Sequence, residues 1–228
     1  MERKQIFSNL ALIGDNLELK ENVVLKINEQ GRILKITHDD DAYKEGHNKQ
    51  NKLEIMIPGF INSHVHIGDS FAKEAGFNKN LKEIVAPPDG LKHKLLHAVS
   101  KESKIKGIKN AALEMLSNGT TCFVDFRERG NEGIEILRQA LSDNLLNHVI
   151  LGRFNDVDEI FSVMNSADGI GLASYGVIND QKKKILKEQK HKTNKIIACH
   201  VGERVREKKV LKQIIKDKIV DVIIHGTQ

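Results

Sequence analysis

From Pro58 onward the sequence alternates short apolar runs with amphipathic segments of helix length, and this rhythm limits the fold more than any other feature. The runs are "GFINSHVH", "TTCFVDF", "HVILG", "GIGLASYG", "KIIACH" and "VDVIIHG". Strands separated by helices read as βα units, which build a parallel sheet faced by helices. In Lys101 to Ser117, Ile105, Ile108, Ala112, Met115 and Leu116 form one apolar stripe, and Asn118-Gly119 supplies a stop. Asn131 to Leu146, Asn179 to Lys190 and Glu203 to Lys218 read as further helices. A full (β/α)8 barrel takes about 250 residues, or about 31 per unit, so Pro58 to Gln228 holds about five and a half units. The expected class is α/β: an incomplete TIM-type barrel with about six of eight strands.

Residues 1–56 follow a different pattern. "NLALIG", "NLELK", "NVVLKI" and "RILKIT" alternate apolar and polar positions, and Asn28-Glu29-Gln30-Gly31 is a hairpin signal. Residues 38–52, "HDDDAYKEGHNKQNK", read as a polar loop. A small β-sandwich-like domain over 1–56 therefore precedes the barrel region over 57–228, which stops after its sixth strand.

Composition removes several functions. No run reaches the roughly 18 apolar residues of a membrane span. The opening MERKQIFSNLALIGDNLELK has no signal-peptide pattern. Cys122 and Cys199 imply no disulfide framework, which points to the cytoplasm. They also cannot form the paired-cysteine motif of the H-x-E zinc deaminases. The net charge of +5 comes mostly from lysines mixed with glutamates on helix-like segments without aromatics, so the surplus reads as solvated helix faces rather than a nucleic-acid surface.

Histidine placement carries the chemistry. His64 and His66 sit two apart on one strand and share a face. His200 ends "KIIACH" on the face of Ile196 and Ala198. His225 ends "DVIIHG". Taken singly, the His64 and His66 pair and His225 read more readily as structural histidines, and Glu203 as an acid favoured in a first helical turn. Taken together, imidazoles end three of six candidate strands, always at the end where barrel enzymes build their sites. Three imidazoles suit Zn²⁺ or Fe²⁺ and leave a position for water, whose pKa the ion lowers to about 7. A carboxylate such as Glu203 then carries the proton to the leaving group.

The segments "IMIPGFINSHVHIGD", "LSNGTTCFVDFRE", "ACHVGE" and "IIHGT" occur in this order. Together they resemble the amidohydrolase superfamily, in particular its cytosine deaminase and chlorohydrolase branch. The resemblance implies one divalent metal on His64, His66 and His200, with Glu203 as proton shuttle and His225 beside the reactive water. It implies a hydrolase of non-peptide C–N bonds that deaminates an amidine-like heterocycle by attack of metal-bound hydroxide. Relatives with two metals use a carboxylated lysine at the fourth strand; here no lysine follows that strand until Lys182, so a single ion is expected. Two departures accompany it: the family's eighth-strand aspartate and its C-terminal β strands have no counterpart before Gln228. The alternative is a truncated, non-catalytic homologue that binds metal or a partner chain completing the barrel. Otherwise the expected partners are a small-molecule substrate and further copies of the chain.

The segment after His66, "IGDSFAKEAGFNKNLKEIVAPPDGLKHK", exceeds an ordinary βα loop and is expected to cover the site. Asp69, Lys73 and His93 are candidates to face the pocket. Arg127 and Arg153, after the second and third strands, could bind an anionic substrate group or lie at the surface.

Overall fold

Period-two alternation at the N-terminus and βα rhythm beyond it produce two compact units, Met1–Gly59 and Phe60–Gln228. The computed structural model describes residues 4–38, 54–85, 89–143, 146–176, 178–203 and 205–228. The polar loop read over 38–52 and the Pro87-Pro88 pair lie outside these residues, apart from His38.

In the first unit, β1 (Lys4–Ile13), β2 (Glu18–Ile27), β3 (Ile33–His38) and β4 (Ile55–Met56) form one sheet in the order β3-β2-β1-β4. The β1–β2 and β2–β3 pairs are antiparallel, and β4 runs parallel to β1. The hairpin signal is a real turn: Asn28 Oδ1 accepts the amides of Gln30 and Arg32, and Gly31 takes φ +75°. "NLELK" and "NVVLKI" are a single strand, not two. The chain passes through Asn22 at φ +51°, a left-handed conformation that asparagine tolerates, so pairing with β1 continues on both sides.

The second unit contains all six barrel strands that the rhythm predicts: β5 (Phe60–Val65), β6 (Thr120–Arg127), β7 (Asn147–Gly152), β8 (Gly169–Leu172), β9 (Ile196–Val201) and β10 (Val222–His225). They pair in parallel in the order β10-β9-β8-β7-β6-β5 and curl into a nearly closed barrel. After β5 come a 3-10 helix (Ile67–Ala72), α1 (Leu81–Val85) and α2 (Leu91–Ala98). The crossover helices are α3 (Lys101–Ser117), α4 (Gly130–Ala140), α5 (Val157–Ser166), α6 (Asp180–Thr193) and α7 (Lys208–Asp217). Ser100 Oγ caps α3 by accepting the Ser103 amide, and Asn179 Oδ1 caps α6 by accepting that of Lys182.

The main core lies between sheet and helices, with Phe123, Ile134, Leu137, Ile150, Met164, Leu186 and Ile197 fully buried. The barrel interior is a second, smaller cluster of Phe126, Leu151 and Ala198 with Val124, Val149 and Ile224 against it. Gly171 makes room for this filling, because a Cβ there would lie 2.6 Å from the Phe126 ring.

The N-terminal ends of the strands are fastened by a repeated device. Asp168, just before β8, accepts the Ile150 amide at 2.8 Å and returns its own amide to the Ile150 carbonyl. Asp221, just before β10, does the same with Ile197. Lys195 Nζ meanwhile donates to the Met164 and Ala167 carbonyls at the end of α5. No described helix is long and apolar enough to cross a membrane.

Candidate metal centre

The opposite rim holds the histidines. His64 is the penultimate residue of β5, and His66 stands one residue past its end, at the entry to the 3-10 helix. His200 arrives from β9. Among the described residues these three form the one group of potential ligands whose donor atoms all lie within 4.8 Å of one another. Ring centroids are 5.1 Å apart for His64–His66, 4.9 Å for His64–His200 and 5.5 Å for His66–His200. Phe126 is the floor, with its ring 4.6 Å from that of His64 and 4.8 Å from that of His200.

Hydrogen bonding settles where two of the ring protons sit. His200 Nδ1 lies 2.9 Å from the Leu172 carbonyl, which can only accept. Nδ1 therefore carries the proton, and in the neutral ring Nε2 keeps its lone pair. His66 Nδ1 lies 3.0 Å from Glu128 Oε1, with the same consequence. His64 Nδ1 is buried and has no hydrogen-bond partner among the described residues. A buried polar atom without a partner costs about 1–3 kcal/mol, which suits a group that takes a ligand. Burial first, then the neighbouring cationic groups, pushes His64 down to about 4. Burial likewise pushes His200 down to about 4, against the Leu172 hydrogen bond. Two imidazoles held down in this way and a third steadied by a carboxylate, with donor atoms within 4.8 Å of one another, fit a divalent cation.

Glu203 and His225 complete the rim. Their nearest atoms, Oε2 and Nε2, are 3.9 Å apart, and Glu203 is partly exposed. The helix after β9 begins only at Lys208, so Glu203 lies in the loop and not in a first helical turn. Gly202, at φ +65°, starts this loop. The His225 ring is 5.4 Å from that of His64 and 5.5 Å from that of His200, and its backbone takes φ +70°. Such a conformation is worth about 1–3 kcal/mol of strain and clusters at functional sites.

These groups line a cavity of about 360 Å³. Asp69, Lys92 and His93, together with apolar Leu81 and Val85, place the long segment after His66 along its wall. Arg153 also lines it, with its Nε buried and unbonded and its Nη1 3.8 Å from Glu128. Asp69 binds Lys92 Nζ at 2.8 Å. Lys73 pairs with Glu114 instead. Arg127 is not in the cavity: it is buried, donates to Glu128 Oε2 at 2.8 Å and stands 3.4 Å from Asp125. Its guanidinium lies over Gly68, where any Cβ would collide with it.

Sequence reasoning did not single out Glu128 or Lys92. Glu128 is almost fully buried, accepting from His66, Lys92 and Arg127. Burial alone would raise it, but the His66 hydrogen bond and the cations Lys92, Arg127 and Arg153 hold it well below the usual carboxylate range. Burial raises Asp125, against the pull of Arg127. The available signal was "VDFRE", three charged residues crowding the end of an apolar strand.

Residues 55–227 match the sequence model of the amidohydrolase family. A provisionally named aminohydrolase of Methanothermobacter thermautotrophicus is 33% identical over 195 residues, 81% of this chain and 50% of that protein. An uncharacterised protein of Methanocaldococcus jannaschii is 33% identical over 237 residues, 95% of this chain and 60% of that protein. The chain thus spans half to three-fifths of the length of these relatives. Among solved structures, a zinc-bound adenosine deaminase of Xanthomonas campestris superposes with a TM-score of 0.75. The match is 14% identical and covers 98% of this chain and 57% of that one, a likeness of fold alone.

Proposed function

The chain belongs to the amidohydrolase family, and from that premise we propose that it is a metal-dependent hydrolase of non-peptide C–N bonds that deaminates an amidine-like heterocycle. The observation that carries this reading is the convergence of His64, His66 and His200 from two strands onto one cavity that Glu203 and His225 also line. The three imidazoles would hold one divalent ion, zinc or iron. Such an ion supplies Lewis acidity and brings the pKa of water toward about 7.

The protein's own groups do the rest. Glu203 takes a proton from the attacking water as the C–O bond forms at the ring carbon and delivers it to the exocyclic amino nitrogen, whose bond to that carbon then breaks and which leaves as ammonia. Partial exposure suits this role, since the carboxylate must reach both water and substrate. His225 hydrogen-bonds the attacking water or the substrate atom beside it. Phe126 closes the floor and removes bulk water, which strengthens each charge interaction above it. Arg153, with its unbonded Nε, and Asp69 at the wall are the groups for polar substrate substituents.

The test is elemental analysis of gently purified protein followed by ammonia release from a panel of purines, pyrimidines and triazines. One zinc or iron per chain, lost in His64→Ala, is the expected result. Sub-stoichiometric metal that His64→Ala leaves unchanged would refute the reading. A chain that binds metal and releases ammonia from no member of the panel would support the non-catalytic alternative.

A further inference from the structure

We infer that Glu128 is a positioning residue for the metal centre, fixing the tautomer and orientation of His66. The inference rests on the proposed metal site and extends it to a residue outside the ligand set. A ligand histidine whose other ring nitrogen is held by a carboxylate keeps a single tautomer and aims its lone pair in one direction.

Glu128 has the geometry for that task. Its Oε1 lies 3.0 Å from His66 Nδ1, and its Oε2 takes Arg127 Nη2 at 2.8 Å. The Lys92 ammonium stands 2.6 Å from the same Oε1, and its own position is held by Asp69 at 2.8 Å. The carboxylate is thus clamped by a buried guanidinium and a nearly buried ammonium, and it cannot turn away from the imidazole. The clamp does not reach the other two ligands: His200 is oriented by the Leu172 carbonyl, and His64 Nδ1 has no hydrogen-bond partner among the described residues. Of the two oriented ligands, His66 is the one whose orienting group is a side chain and can be removed by substitution.

The arrangement also explains why buried Arg127 sits beside the site without entering the cavity. It balances the charge of Glu128, and Gly68 provides the space for it. Lys92 comes from α2, in the segment that walls the cavity, so one carboxylate oxygen joins that wall to a metal ligand.

Zinc titration against a competing chelator tests the inference on Glu128→Gln and Lys92→Met. Glu128→Gln should weaken zinc binding about 10–100-fold, the usual effect of losing such a partner. Lys92→Met, which loosens the clamp but keeps the bond to His66, should weaken zinc binding less than Glu128→Gln does. Equal weakening in both variants would overturn the inference, because the loss would then follow from disturbing the buried charges. Unchanged affinity in Glu128→Gln would overturn it as well. If Glu128→Gln does not fold, the zinc-free wild-type protein decides: long-range proton–nitrogen correlation should show the His66 proton on Nδ1, and a proton on Nε2 would refute the assignment. Absence of zinc binding by the wild-type chain would instead count against the proposed function, while the tautomer measurement, which needs no metal, still decides the role of Glu128.

Discussion

The two ends of the barrel treat polar groups in opposite ways. At the N-terminal end, Asp168 and Asp221 each close a two-bond latch with the neighbouring strand, and Lys195 satisfies two carbonyls at the end of α5. At the C-terminal end, His64 Nδ1 and Arg153 Nε are buried without partners, and His225 is held at φ +70°. Among the described residues, the first end pairs these side chains with backbone groups and serves stability. The other leaves bonding capacity unused, which is what a site for an ion and a substrate requires.

Substitutions at the two ends should therefore separate cleanly. The largest expected effect is that of His64→Ala: loss of the bound ion and of ammonia release. The urea midpoint of the zinc-free protein should move less than in Asp221→Ala. Glu203→Gln comes next, with kcat expected to fall about 10²–10⁴-fold while chelator competition shows unchanged metal affinity. A fall in metal affinity there would place Glu203 among the ligands. Asp221→Ala should cost about 1–3 kcal/mol, because it leaves the Ile197 amide unpaired. For a chain of this size that is about 2–4 °C in Tm per kcal/mol, readable by calorimetry, with metal affinity intact. If Asp221→Ala abolished metal binding at full stability, the division between the ends would fail.

The acid response of the zinc-free protein probes the C-terminal rim by a separate route. His64 and His200 are held down to about 4, whereas an unfolded imidazole titrates near 6.5. Between these values the unfolded chain binds more protons, so stability should decline as pH falls from about 6.5 toward 4. Urea midpoints at three pH values would show the slope, and replacing His200 by Gln should flatten it.

What the sequence disclosed divides along the same line. Local signals survived folding: short apolar runs became the six barrel strands, the stripe of Lys101 to Ser117 became α3, and histidines at strand ends met at one rim. Signals that depend on distant neighbours did not show. Glu128 gains its meaning from His66, 62 positions away, and no local pattern announces that contact. Arg127 was partly legible, because alternation with inward Phe126 places it on the helix-facing side of β6 with Phe123 and Asp125. The start of α7 at Lys208 was hidden because "ERVRE" has helix-compatible composition, although Gly202 at positive φ sends the chain into a loop first.

The sheet order has a practical consequence. β5 and β10 are its terminal strands, and Phe60, Ile61, Val222 and Ile223 along them are exposed. Neither strand carries the lysine or proline that commonly blunts such a border. The barrel is therefore adhesive along two lines. For the purified chain, concentration more than temperature should set the working limit, with dilute solutions preserving the monodisperse form longest.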